Sequence, residues 1–313
     1  MNLIEDTSGH YSQAGSFEKR AVWGEMREFQ LASGSVPGAD HVRAGRNNQD
    51  SRHVIVRDDA IVSVVCDGLS KMIVKDGGTE AAANTRNEVG AIMGAMIVSQ
   101  KLLDLADVLR DTPEDAPEEA VTRHVKTYLT IARRDIRKVL RAIMSELGLP
   151  PALLVQDLFL FTIVAAIVTP SWSAFVHLGD GYVNVNGEGF KIGPFPNNEP
   201  PVISYGSDGT SLPEEALEFK ILKILKTSGL ESFLIGSDGL TYLIDAQETG
   251  IPGQEQPIGP ISRIWTEDRF FTNKDMVRRH LTVINDGIRN PGKGVLKDDT
   301  TLVVGRRRRV QDA

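Results

Sequence analysis

Ile61-Val-Ser-Val-Val-Cys66 is a run of apolar, mostly β-branched residues without polar alternation. Such a run reads as a strand buried on both faces, since neither face offers water a polar row. Phe159–Val168, the longest apolar run, is also of strand length and carries one hydroxyl, Thr162. Shorter strand patterns fall at Glu28–Ala32, His53–Val56, Ser173–Leu178, Tyr182–Asn186, Phe190–Ile192, Ser232–Ile235 and Thr300–Val304. Leu217–Leu225 reads as a strand or a short helix, and residues 193–217, rich in proline, read as a long surface loop.

Two helical blocks interrupt this series. Thr79–Leu109 is rich in Ala, Met and Leu, with Thr79 or Asn84 as caps. After a charged break at residues 111–118, Val121, Val125, Leu129, Ala132, Ile136, Leu140, Ile143 and Leu147 recur at helical spacing. Arg133, Arg134, Arg137, Lys138 and Arg141 fall between them as a solvated face, and Gly148 stops the helix. Asn273–Asp286 reads as a further capped helix. Strands, two long helices, strands again and a helix predict an α+β sandwich; a nucleotide-binding βαβ fold would alternate regularly. The expected organisation is a leader at 1–25, one domain at 26–305, and a basic tail at 306–313 in which Arg306–Arg309 are solvated.

Charge and cysteine content narrow the function. Asp and Glu number 42 against 35 Lys and Arg, a net charge of −7, which argues against nucleic-acid and anionic-membrane partners. The single cysteine, Cys66, excludes an internal disulfide and every CxxC metal site, and beside Asp67 it reads as a buried small hydrophobe. The first residues lack a signal-peptide pattern and no window approaches 18 uninterrupted apolar residues, so the expectation is a soluble, cytoplasmic protein.

The chemistry lies at strand ends. Asp-Gly occurs six times, but three copies follow directly on apolar strands: Asp67-Gly68, Asp180-Gly181 and Asp238-Gly239. Gly-Ser-Asp-Gly occurs at 206–209 without a preceding strand and at 236–239 with one, so Asp208 reads as a turn residue and Asp238 as a site residue. Asp50 ends Asn47-Asn-Gln-Asp50, and Asp298-Asp299 precede the closing strand. Carboxylates gathered on one rim of a sandwich repel, by about 4 kcal/mol for one pair at about 4 Å and an effective dielectric near 20. They protonate or they hold a multivalent cation. With oxygen the main ligand type, the ion is Mg²⁺ or Mn²⁺ rather than zinc or copper. Glycine after each Asp lets a backbone carbonyl come close to such an ion. Two ions about 3.5–4 Å apart suit phosphate-ester hydrolysis by an activated water.

Taken in order, these motifs resemble the metal-dependent Ser/Thr protein phosphatases of the type 2C family, in particular its bacterial branch. The residues concerned are His41-Val-Arg-Ala-Gly45-Arg-Asn-Asn48-Gln49-Asp50, Val64-Val-Cys-Asp67-Gly68-Leu-Ser70, Glu88-Val-Gly-Ala91, Phe161-Thr162 into Ile163–Val168, His177-Leu-Gly-Asp180-Gly181, Ser237-Asp238-Gly239-Leu240 and Asp298-Asp-Thr-Thr-Leu-Val-Val304. The resemblance implies a four-layer αββα sandwich of two mainly antiparallel sheets flanked by helices, with a binuclear Mn²⁺/Mg²⁺ centre between the sheets. By matching position, Asp67 bridges both metals and Gly68 offers its carbonyl. Asp238 and Asp298 ligate the first metal, Asp50 holds water around the second, and Asp180 belongs to a weaker third position. Asp50 and Asp67 are then the catalytic residues.

Three departures stand out. The family's phosphate-clamping arginine is Gly45 here, leaving Arg43 and Arg46 as substitutes; a carboxylate of the third-metal position is Tyr242; and Asp-Gly-His-Gly-Gly is replaced by Asp67-Gly-Leu-Ser-Lys71. The implied activity is that of a protein-serine/threonine phosphatase acting on phosphoproteins without a covalent enzyme intermediate, opposite a cognate Ser/Thr kinase. The alternative is a regulatory module of the same fold, without turnover, that binds a phosphoprotein or a partner kinase; the long helix Val121–Leu147 and the missing arginine motivate it. Of the neighbouring residues, His41 and His177 read as hydrogen-bonded structural histidines, and Lys71 and Lys75 as a charged loop. There is no P-loop and no glycine-rich dinucleotide fingerprint.

Overall fold

The computed structural model describes residues 28–69, 72–74, 80–82, 86–148, 150, 158–196, 199–204, 214–285 and 294–308. The expected leader, the caps Thr79 and Asn84, Lys71, Lys75 and Asp208 lie outside the described residues. β1 (Phe29–Val36) leads through a short helix, α1 (Ala39–Arg43), into β2 (Asp50–Arg57) and β3 (Ala60–Gly68). A two-stranded ribbon of β4 (Met72–Val74) and β5 (Glu80–Ala82) precedes α2 (Asn87–Lys101), α3 (Leu103–Asp111) and α4 (Glu118–Glu146). Then come β6 (Phe161–Val168), β7 (Trp172–Leu178), β8 (Gly181–Val185), β9 (Glu188–Ile192), β10 (Lys220–Lys226) and β11 (Ser232–Gly236). Among the described residues, four helices, α5 (Leu240–Asp245), α6 (Arg263–Thr266), α7 (Arg269–Thr272) and α8 (Met276–Ile284), lie between β11 and β12 (Thr300–Arg307).

Two five-stranded antiparallel sheets form, in the orders β1-β12-β11-β8-β9 and β10-β7-β6-β3-β2. Three apolar layers hold them. Helices α2–α4 cover the outer face of the second sheet, burying Val62, Val64, Ile163 and Ile167 with Leu105, Val125 and Ile136. Helices α5–α8 cover the first sheet, with Leu234, Leu302 and Val304 packed against Leu240, Phe270 and Leu281. Between the sheets lie Ile61, Val65, Val164, Phe175, Phe233, Ile235 and Val303. Each such aliphatic or aromatic side chain, fully buried, stabilises the fold by about 1.5–3 kcal/mol. The expected αββα sandwich is what forms, and the unalternating runs of β3 and β6 are its two-faced strands.

Strand alternation then decides where the polar ends point. In β3, Ile61 and Val65 line the space between the sheets, and Asp67 continues the same row. Asp50 is its register partner on β2 and Thr162 its partner on β6, so all three share the inter-sheet face at one rim. In the opposite sheet Phe233 and Ile235 face inward, and Ser237 takes the next inward position beyond β11.

The predicted amphipathic helix is α4: Val121, Val125, Leu129, Ala132, Ile136 and Leu140 are buried, and Gly148 beyond its end has φ +64°. Other expectations need correction. Leu147 is exposed and Met144 takes the buried position a turn earlier. Arg133 is buried in the cleft between α4 and β10, beside Leu129 and Phe219, and is not part of a solvated face. The block Thr79–Leu109 is β5 followed by two helices that meet at the buried Leu102. Within the supposed surface loop 193–217, Val202, Ile203 and Leu217 join the core under α2–α4. Leu217–Leu225 divides into a 3₁₀ turn, Glu214–Leu217, and β10. Finally, β12 runs on to Arg307, so Arg306 and Arg307 belong to the sheet rather than to a tail. Arg306 is buried, bonds Gln30 and Asp268 at 3.1 and 2.6 Å, and lies over the Phe271 ring; Arg307 pairs with Glu28.

Candidate metal centre

The acids predicted at strand ends meet at one rim. β3 carries Asp67 and β2 opens with Asp50, while Asp180 stands in the β7–β8 connection, Asp238 beyond β11 and Asp298 just before β12. The close approach of the last two depends on Gly239, where a Cβ would collide with the Asp299 carbonyl and stand 2.8 Å from Thr300 Oγ1. At Gly68 a Cβ would stand 2.8 Å from the Gln49 carbonyl, so the glycine after Asp67 lets β2 and β3 close up where the acids are paired.

Burial and mutual repulsion dominate the electrostatics of these acids. Burial, and then the charges of Asp50, Asp238, Asp298 and Asp180, push the Asp67 carboxyl well above the usual range. Asp50 is raised likewise, by burial and then by Asp299. Asp238 and Asp298 are raised chiefly by burial, with Asp238 adding to the effect on Asp298. Asp180 is pushed up to about 7 by burial and then by the Asp238 charge. Among the described residues, Asp50 Oδ1, Asp180 Oδ1 and Asp238 Oδ1 are buried oxygens without a hydrogen-bond partner. Carboxylate oxygens so placed, from several strands and in an oxygen-dominated set, fit a hard divalent cation such as Mg²⁺ or Mn²⁺.

Asp299 has a different task. Its side chain is 2% exposed, and it accepts the N–H groups of Gly38 at 2.7 Å and Gln49 at 2.5 Å. His41 Nδ1 lies 2.8 Å from Asp299 Oδ2, while His41 Nε2 is 3.7 Å from Asp298 Oδ1. The Asp299 partner raises the His41 pKa against the opposing effect of burial. His41, Asp298 and Asp299 have ligand atoms within 4.8 Å of one another, yet Asp299 is already engaged with Gly38, Gln49 and His41. It ties the β1–α1–β2 segment to the rim; its charge acts on Asp50 and Asp238, while that of Asp298 acts on Asp67 and Asp180. His177 is hydrogen-bonded at Nδ1 to the Gly179 carbonyl, 2.8 Å, and burial lowers its pKa. Cys66 is buried, and burial pushes its thiol up, away from nucleophile chemistry.

The two arginines part company. Arg43 is exposed, pairs with Asp40 and donates to the Ala39 carbonyl of its own short helix at 3.2 Å. Arg46 is half-buried, and its charge acts on His41 beside Asp298 and Asp299. Tyr242, where a carboxylate was missing, does face the cluster: burial and then Asp298 and Asp238 raise its phenol. The Lys191 charge likewise reaches Asp238. Sequence reasoning missed the hydroxyl shell. Ser237 Oγ donates to Asp50 Oδ2 at 2.7 Å, Ser35 and Thr301 share a 2.6 Å bond, Asn48 Nδ2 donates to Ser35 at 2.8 Å, and Thr162 bonds Asp180. The strand pattern carried a signal for Ser237, the inward position beyond Phe233 and Ile235.

The family model for protein phosphatase 2C matches residues 37–282, more than half of the chain. Solved structures with a similar fold include a bacterial serine phosphatase, 16% identical, covering 89% of this chain and 97% of that one with a TM-score of 0.43. Others are the serine/threonine phosphatase Stp1 from Staphylococcus aureus (14% identical, 93% and 99% covered, TM-score 0.44) and the catalytic domain of the serine/threonine protein phosphatase PstP in complex with two manganese ions (18% identical, 89% and 97% covered, TM-score 0.40). No curated protein matches the sequence. With the family match spanning residues 37–282, the chain belongs to the protein phosphatase 2C family.

Proposed function

We propose that this protein is a divalent-metal-dependent protein-serine/threonine phosphatase acting at the acidic rim. The observation that carries this reading is the convergence of Asp50, Asp67, Asp180, Asp238 and Asp298, three of them with a buried oxygen left unpaired. Asp67, Asp238 and Asp298 would hold one Mn²⁺ or Mg²⁺, Asp67 and the Gly68 carbonyl would share in a second that Asp50 steadies, and Asp180 would serve a weaker third. When bound, such ions supply Lewis acidity and an activated water for in-line attack on phosphorus. The chain's own contribution is positional. The antiparallel pairing of Asp50 with Asp67 sets one side of the site, and Asp298, seated by the Asp299 clamp, sets the other. Arg46, half-buried beside His41, is the proposed phosphate-binding cation in place of the arginine absent at Gly45; Arg43 is already paired. The proposed substrate is a phosphorylated protein, the proposed counterpart a Ser/Thr kinase and the proposed compartment the cytoplasm.

Hydrolysis of an aryl phosphate, measured with Mn²⁺, Mg²⁺ or EDTA, tests the reading. Activity should require the metal, and Asp67→Ala and Asp238→Ala should abolish it. Full activity in either variant would refute this assignment of the centre. Absence of Mn²⁺ binding at millimolar metal would favour the regulatory module instead.

A further inference from the structure

We infer that Ser237 is a positioning residue that orients the Asp50 carboxylate toward the metal centre; the inference rests on the metal-centre reading above. Ser237 is 1% exposed and stands on the inter-sheet face, opposite the sheet that carries Asp50. Its Oγ has two close partners: the Thr301 N–H at 3.0 Å and Asp50 Oδ2 at 2.7 Å. A backbone N–H can only donate, and a serine hydroxyl has a single hydrogen. Ser237 Oγ must therefore accept from Thr301 and spend its proton on Asp50; the Asp299 carbonyl, at 3.5 Å, competes poorly for it.

This fixes the carboxylate from one side. Oδ2 is occupied by the hydroxyl, and Oδ1 is the buried oxygen left without a partner. The bond also spans 187 residues of sequence and joins the two sheets at the rim. Ser237 itself is held at both ends, since its own N–H donates to the Thr301 carbonyl at 3.0 Å. Because Asp238 is the next residue in the chain, the contact couples acids from opposite sheets, and so the geometry of one metal position to that of the other. Partners of this kind, which orient a ligand without touching the ion, change metal affinity by about 10–100-fold when removed. The comparison between the two Gly-Ser-Asp-Gly segments then extends to the serine: at 236–239 its hydroxyl is committed to a ligand on the opposite sheet.

The test is a double-mutant cycle read by calorimetric titration of Mn²⁺ into the metal-free full chain, using Ser237→Ala, Asp50→Ala and the pair. Ser237→Ala should weaken Mn²⁺ binding about 10-fold or more in the wild-type background and add little to Asp50→Ala. Ser237→Cys, similar in size but a weak donor, should fall between wild type and Ser237→Ala, and it carries the same cycle if the alanine variant does not fold. Melting of each metal-free variant records separately what the lost Thr301 acceptor costs the fold. Undiminished Mn²⁺ affinity in the serine variants, or an equal loss with and without Asp50, would overturn the inference and leave the metal-centre reading standing. Failure of the wild-type chain to bind Mn²⁺ would overturn the reading itself.

Discussion

Replacing Asp180 with asparagine should make the metal-free protein more stable above pH 7. Asp180 is 7% exposed, and its carboxyl is pushed up to about 7 from an ordinary value of 3.8. Well below the ordinary value of 3.8 the group is protonated in both folded and unfolded chains, and its burial carries no ionisation cost. As the pH rises toward 7 the unfolded chain gives up the proton while the folded chain retains it, and stability falls. Above pH 7 the folded chain must bear the buried charge beside Asp238. At about 1.4 kcal/mol for each tenfold change in proton affinity, the difference amounts to about 4 kcal/mol at pH 8, against roughly 1–2 kcal/mol at pH 5. Some of this is shared with Asp238 and Asp298, whose charges add to burial, so a gain of about 2–4 kcal/mol at pH 8 is expected from Asp180→Asn. Urea denaturation in EDTA at pH 5 and pH 8, compared between wild type and variant, measures it. A gain of the same size at both values, or a loss at pH 8, would show that Asp180 does not bear an uncompensated buried charge.

Two other substitutions examine the rim. Arg46→Ala should raise KM for a phosphorylated substrate about 10-fold or more, as loss of a charge-assisted bond of about 1.5–3 kcal/mol requires, whereas Arg43→Ala should leave it nearly unchanged; equal effects would refute the division of roles. Gly239→Ala forces a methyl group against the Asp299 carbonyl, so a loss of about 1–3 kcal/mol in urea unfolding and weakened Mn²⁺ binding are expected, while an unaltered variant would mean that the Asp238 and Asp298 segments are not packed as described.

How much was legible in the chain depended on the range of the interaction. The two-faced strands β3 and β6 and the stripe of α4 are local patterns, and the acids at strand ends follow from them together with the ordered motifs. Arg306 and Arg307 read as tail residues because four consecutive arginines look solvated, and their partners Gln30, Asp268 and Glu28 are remote in sequence. Val202 and Ile203 read as surface loop because the prolines around them hide a short apolar anchor. The break at Leu102 follows the polar triplet Ser99-Gln-Lys101, too short a signal to divide one helical block into two. At the site, the role of Asp299 and the Ser237–Asp50 bond depend on two sheets facing each other, which strand periodicity alone cannot register. The separation of Arg46 from Arg43 required the fold of α1, where Asp40 captures one of them.

Release of phosphate from a phosphoserine or phosphothreonine peptide, followed while Mn²⁺ is titrated into the EDTA-treated chain, tests the central claim most directly. The account predicts no turnover without metal and activity that saturates with Mn²⁺. Turnover that persists undiminished in EDTA, or none at any Mn²⁺ concentration, would contradict it.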